Sequence, residues 1–76
     1  MTPEFIYNGV KYDFHRDELL KASLLLSMRK NKIYSLSDTI KTAEESVCRG
    51  ETIGVVVATW AAAYDYYVEE LEKELD

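Results

Sequence analysis

His15 and Cys48 are the one histidine and the one cysteine of this 76-residue chain, and together they would be its candidate base and thiol nucleophile. Such chemistry needs the base within hydrogen-bond reach of the nucleophile. His15 opens a first helical segment and Cys48 closes a second, so only antiparallel packing of those helices would bring the two together. Cys48 also follows Val47 on an apolar stripe, where a cysteine serves as a small, half-buried filler. We assign no catalytic residue and expect a protein that is not an enzyme. The run Asp13-Phe14-His15-Arg16-Asp17-Glu18 gathers metal-type donors, but at a strand-to-helix corner those side chains diverge and Arg16 repels a cation. Helix capping and first-turn charge account for the same letters. One histidine and one cysteine cannot build a zinc cluster of such residues, and neither a metal nor another cofactor is expected.

Carboxylates carry the stronger signal. Residues 1–64 hold eight acids and eight bases, so the formal net charge of −5 arises in the last twelve residues, where Asp65, Glu69, Glu70, Glu72, Glu74 and Asp76 are offset by Lys73 alone. Direct nucleic-acid binding draws on Lys and Arg contacts to phosphate, so a chain charged in this way is not expected to bind nucleic acid. A macromolecular partner would carry a basic surface instead. Tyr66 lies among these charges within Tyr64-Asp65-Tyr66-Tyr67. Tyrosine flanked by charge suits protein interfaces, because its ring supplies contact area while its hydroxyl stays satisfied. Asp65, Tyr66, Glu69, Glu70, Glu72 and Glu74 are therefore the candidate partner-binding residues. The alternative for Tyr66 is that it covers the hairpin or the first helix and does no more.

The elements that position these residues follow from local rules. In Phe5-Ile6-Tyr7-Asn8-Gly9-Val10-Lys11-Tyr12, Asn-Gly between β-rich runs predicts a type I′ turn and a hairpin over about residues 4–13. The register pairs Tyr7 with Val10, Ile6 with Lys11 and Phe5 with Tyr12. It puts Phe5, Tyr7, Val10 and Tyr12 on one face and Glu4, Ile6, Lys11 and Asp13 on the other. Residues 15–30 read as a first helix, with Asp17 and Glu18 at its start, and Arg29, Lys30 and Lys32 at its end. His15 as N-cap puts Phe14 and Leu19 in the positions of a hydrophobic staple, although Asp13 is the chemically better cap. Leu19, Leu20, Leu24, Leu25, Leu26 and Met28 exceed a single stripe and predict contact on two sides. Asn31 ends the helix.

Ser35-Leu36-Ser37-Asp38 has capping-box spacing and starts a second helix over about 36–49, with Leu36, Ile40, Ala43 and Val47 on its apolar stripe and Gly50 as its stop. A third helix runs over about 52–75. Ile53, Val57, Trp60, Tyr64, Tyr67 and Leu71 recur in steps of three and four, as in a coiled-coil seam, and form either core or a homodimer contact. Val55, Ala58, Thr59, Ala62 and Tyr66 make a second stripe roughly opposite. Between Ile53 and Val68 the sole charge is Asp65, but sixteen residues fall short of the roughly twenty that cross a bilayer. No membrane span is expected. The second and third helices do not make a DNA-reading pair either, since the start of the third offers Ile53, Gly54, Val55, Val56 and Val57 without a cation.

The chain is thus expected to be one α+β domain over residues 1–76, mainly helical, with the hairpin packed on a three-helix up-down-up bundle. In that arrangement the first and third helices are parallel, and the third, roughly eight residues longer, overhangs by about 12 Å. Its acidic end opposes the helix macrodipole and brings like charges together at Glu70–Glu74 and Glu72–Asp76, with Glu69–Lys73 the favourable pair. Attraction to Arg29, Lys30 and Lys32 would explain that composition, as would a basic partner or a solubilising tail. Met1-Thr2-Pro3-Glu4 shows no charged and apolar leader pattern, and a cytoplasmic setting is expected. The function expected is binding and modulation of another protein, such as a basic nucleic-acid-handling one, by analogy in size and charge with small inhibitors encoded by phages and mobile elements. The alternative is a structural or regulatory homodimer, and the third is an enzyme using Cys48 and His15.

Overall fold

The computed structural model describes residues 5–75. Glu4 and Asp76, placed above on the hairpin's outer face and at the acidic end, lie outside the described residues. The fold is α+β and mainly helical: β1 (Phe5–Tyr7), β2 (Val10–Tyr12), α1 (Arg16–Lys30), α2 (Leu36–Ser46) and α3 (Ile53–Leu75). Asn8 and Gly9 take φ of 52° and 80°, the two positive values that a type I′ turn requires. The antiparallel register is Phe5 with Tyr12, Ile6 with Lys11 and Tyr7 with Val10. Phe5, Tyr7 and Tyr12 pack on the core as expected, whereas Val10 is 51% exposed because it flanks the turn at the rim of the hairpin.

A strand pair this short is not stable alone, and Phe14 anchors it. The Phe14 ring is 1% exposed, with its centroid 5.5 Å from that of Phe5 and 5.3 Å from that of Tyr12. Next to it, His15 is the N-cap of α1, and its backbone N–H donates to Glu18 Oε1 at 3.2 Å. Phe14 and Leu19, the staple positions, are both buried in one cluster with Ala22, Ile40, Ala43, Val56 and Val57. Asp13 is not the cap of α1. It sits at the start of α3, where Thr52 Oγ1 donates to Asp13 Oδ2 at 3.5 Å while accepting from the Val55 N–H at 3.3 Å. A Cβ on Gly54 would collide with that same carboxylate, which is why glycine stands in a valine-rich helical turn. A carboxylate at a helix start also complements the macrodipole.

Asn31 adopts the left-handed conformation at φ 55° and ends α1. The linker beyond it is tied down by Ser23, whose hydroxyl donates to the Tyr34 carbonyl, and by Ser27 Oγ, which accepts from the Tyr34 N–H at 2.9 Å. Ser35 and Asp38 form the expected capping box of α2. This helix stops at Ser46 rather than near residue 49, because Val47 is extended at φ −62° and ψ 121°. Val47 is a poor helix former, and Glu44 and Glu45 oppose the dipole at this C-terminus. Val47 and Cys48 consequently leave the apolar stripe and are exposed. Gly50, at φ 90°, is the third residue of a turn closed by the Glu51 N–H on the Cys48 carbonyl at 3.0 Å, so it serves that turn rather than the helix end.

The principal helix contact is α1 against α3. Asp13 meets Thr52, Lys21 meets Asp65, and Met28 and Arg29 border the same hollow as Tyr66 and Glu70, so positions rise together along the two elements. Buried α1 residues lie on one side, Leu19, Ala22, Ser23, Leu25 and Leu26. Leu20, Leu24 and Met28 remain exposed, contrary to the two-sided contact expected from leucine content, because no second layer covers that face. Along α3 the buried positions are Gly54, Val56, Val57 and Ala61. The opposite stripe of Val55, Ala58, Thr59, Ala62 and Tyr66 is exposed throughout.

Two substitutions test this arrangement. Phe14→Ala should destabilise the chain by about 3–5 kcal/mol, enough to unfold a domain of this size, as read by urea titration of the far-UV circular dichroism. Gly54→Ala should shift the unfolding midpoint little, because displacing the exposed Asp13 carboxylate from Thr52 offsets the up to about 1 kcal/mol that alanine gains as the better helix former. In an Asp13→Ala background the same change should raise it.

Candidate functional site

α3 counts 23 residues against 15 in α1, and its surplus is at the C-terminal end. Every residue from Glu69 to Leu75 is exposed. Tyr66, one turn before Glu70, is 66% exposed and borders the end of α1 near Met28 and Arg29. Among the described residues the ion pairs are Lys21–Asp65 at 3.0 Å and Lys73–Glu70 at 3.4 Å. Asp65 thus differs from the other candidate partner-binding residues, being held across the helix pair by Lys21. Lys73 pairs with Glu70 rather than with Glu69. Among the described residues, Arg29, Lys30 and Lys32 take no part in an ion pair with the acidic end, and Lys32 lies over the Tyr34 ring at 5.0 Å.

The seam divides in two. Val57 is fully buried in the chain's own core, with Ile53 and Trp60 packed against it. Tyr64 is partly buried, whereas Tyr67 and Leu71 are 43% and 41% exposed. The first half of the seam is internal packing, and the second half is surface.

Between α1 and α3, near the root of the overhang, lies an open hollow of about 430 Å³. Leu25, only 2% exposed, forms its floor, and Met28, Ala63, Tyr66 and Tyr67 its walls, with Arg29 and Glu70 at the rim. The α1 contribution escapes a reading of the sequence that assigns all leucines and methionine to packing. The signal available is the three-residue spacing of Leu25 and Met28, which sets them as neighbours on one side of the helix.

Among the described residues, no hydrogen bond joins Cys48 to His15. Cys48 Sγ is exposed and its thiol donates to the Ser46 carbonyl at 3.5 Å, while His15 serves the helix cap. Among the described residues, no group of three or more His, Cys, Asp or Glu is arranged to hold a metal ion, and no helix is long and apolar enough to cross a membrane. A polar cluster joins the hairpin to α2, with the Tyr7 hydroxyl 2.7 Å from Ser37 Oγ. Partial burial raises the Tyr12 phenol above its ordinary value of 10.0, and the neighbouring Glu44 carboxylate raises it further. This cluster fixes the hairpin in place.

No protein-family model matches the chain, and no curated protein or solved structure is significantly similar to it.

Two measurements follow from these contacts. A phenol raised in the folded state stabilises the fold below pH 10, and that contribution is lost as the pH rises through the folded value. Urea titrations of the native chain and Tyr12→Phe should therefore differ in pH dependence above about 10, with the native chain losing more stability. A double-mutant cycle on Lys21 and Asp65 should return a coupling below about 1 kcal/mol, as for other solvent-exposed pairs.

Proposed function

We propose that this chain is a non-enzymatic interaction module that binds and modulates a protein with a basic surface, using Tyr66 and the carboxylates Glu69, Glu70, Glu72 and Glu74 at the end of α3. Asp65 contributes on release from Lys21. The observation that carries this reading is the state of the helix end: an exposed tyrosine beside exposed carboxylates, of which, among the described residues, Glu70 alone is paired, and that with its own helix neighbour Lys73. Those carboxylates lie at the negative end of the helix macrodipole, where each costs a few tenths of a kcal/mol. An external cation removes that penalty and gains a charge-assisted contact at the same time. Tyr66 adds apolar contact area of the kind that dominates interface hot spots.

Proteins that handle nucleic acids carry cationic surfaces of the required kind, so inhibition of such a protein is the specific form we favour. Its support is analogy with small acidic inhibitors encoded by phages and mobile elements, in size and charge alone. A cytoplasmic setting, where an exposed thiol such as Cys48 stays reduced, goes with this reading. A second reading, a structural or regulatory homodimer, is favoured by the exposure of Tyr67 and Leu71 on the outer half of the seam.

Capture of partners from a cell lysate by the immobilised chain, followed by mass spectrometry, tests the first reading against Glu69→Lys/Glu70→Lys. Reversal should abolish capture of a basic protein while leaving the circular dichroism spectrum unchanged. Equal capture by both chains removes the electrostatic interface. Light scattering that gives a dimer mass for both would favour the second reading.

A further inference from the structure

We infer that the hollow between α1 and α3 receives one bulky apolar side chain from a basic amphipathic segment of the partner protein. This rests on the reading of the α3 end as a docking surface and gives that surface its anchoring point. The hollow has a buried apolar floor, Leu25, and walls that are themselves exposed, Met28, Tyr66 and Tyr67. At about 430 Å³ it falls in the range of ligand-sized sites. Apolar walls around a buried floor favour an apolar occupant, since a polar one would lose water contacts without replacement. Met28 has an unbranched, polarisable side chain that adjusts to the shape of what it meets.

Charge complementarity identifies the rest of the occupant. Glu70 stands at the rim, and Glu74 follows one turn farther along the same exposed helix, about 6 Å away in rise. A helical partner that seats a leucine or an aromatic ring in the hollow therefore meets carboxylates a turn apart on one side of its anchor, and cations at the same spacing match them. This is the helix-in-groove mode, with the anchor giving affinity and the charges giving orientation. Arg29, at the opposite rim, disfavours a cation there and so sets the direction in which the basic segment lies. A second copy of the chain fits less well. A two-fold contact can set Glu70 of one copy against Arg29 of the other, but each copy brings a net negative helix end rather than the basic segment that complements Glu70 and Glu74.

Two synthetic peptides of equal positive charge test the inference on the full chain. Both are lysine-rich helix formers, one carrying leucine and tryptophan along one face and the other alanine at those positions. Binding is followed by methyl resonances of Met28 and Ala63. The apolar-faced peptide should bind at least tenfold more tightly and shift both methyl groups. Ala63→Leu, which fills the hollow, should abolish that advantage without changing the affinity for the alanine peptide. Tyr66→Ala, a surface truncation that spares the core, should reduce the advantage severalfold and serves as the second variant if Ala63→Leu unfolds. Equal affinities, with both peptides lost on Glu69→Lys/Glu70→Lys, overturn the anchor and leave the electrostatic surface standing. Failure of both peptides to bind overturns both. Methyl shifts that appear on concentrating the chain alone assign the hollow to a second copy and overturn the inference.

Discussion

Three consecutive residues hold this small fold together, each against a different helix. Tyr12 stands beside Glu44 of α2, Asp13 lies over Thr52 and Gly54 at the start of α3, and Phe14 enters the core beside the first turn of α1. The chain between the last strand and the first helix is therefore a hub rather than a connection. Phe14 is its indispensable member, because a two-stranded sheet of three-residue strands has no independent stability. Its ring is the surface on which Phe5 and Tyr12 rest. Asp13 adds geometry to that packing, since its carboxylate occupies the space a side chain at residue 54 would take.

A consequence is that burial is concentrated at one end. Phe14, Leu19, Ala22, Ile40, Ala43, Val56 and Val57 form the main cluster, all toward the hairpin and the starts of α1 and α3. Farther along, α1 and α3 continue together with fewer partners, and α3 then continues alone. Local stability follows contact density, so the root of α3 is its firm part and its final turns are the part that opens first. The hollow lies between these regimes, with a floor fixed by the helix pair and walls free to adjust.

Much of this was legible because it obeys local rules. Asn8-Gly9 dictates its turn, and the turn dictates the register. The Phe14–His15–Glu18–Leu19 spacing marks the start of α1, Ser35–Asp38 marks the start of α2, and Asn31 marks the end of α1. What escaped the sequence depends on neighbours distant along the chain. Gly54 is explained by Asp13, 41 positions earlier, and Ser23 and Ser27 by a linker they hold from within a leucine-rich helix. Apolar periodicity identifies faces that water disfavours, but not which of two such faces a small protein has enough layers to cover. That is why Leu20, Leu24 and Met28, and the stripe from Val55 to Tyr66, looked like packing and are surface. The early end of α2 was hidden for a related reason, since Val47 fits the stripe in spacing but lies past the last residue the helix can hold.

The acidic end of α3 shows how the position of charge matters beyond its sum. Cations stand near it in space, at the end of α1, where Arg29 borders the same hollow as Glu70, yet each already has a local role. Arg29 and Lys30 occupy the last turn of α1, where they offset the negative end of its own macrodipole, and Lys32 lies over the Tyr34 ring. Drawing them to α3 would exchange those contacts for exposed ion pairs worth little in water. Internal neutralisation thus offers the folded chain at most about 1 kcal/mol per pair. The carboxylates of α3 face the opposite situation: they oppose their own dipole, repel one another a turn apart, and past Asp65 the ion pair among the described residues is Lys73–Glu70. Folding leaves that tension in place on a helix rooted in a well-packed core, beside an apolar hollow, and this unrelieved charge is what supports the proposal of a cationic partner.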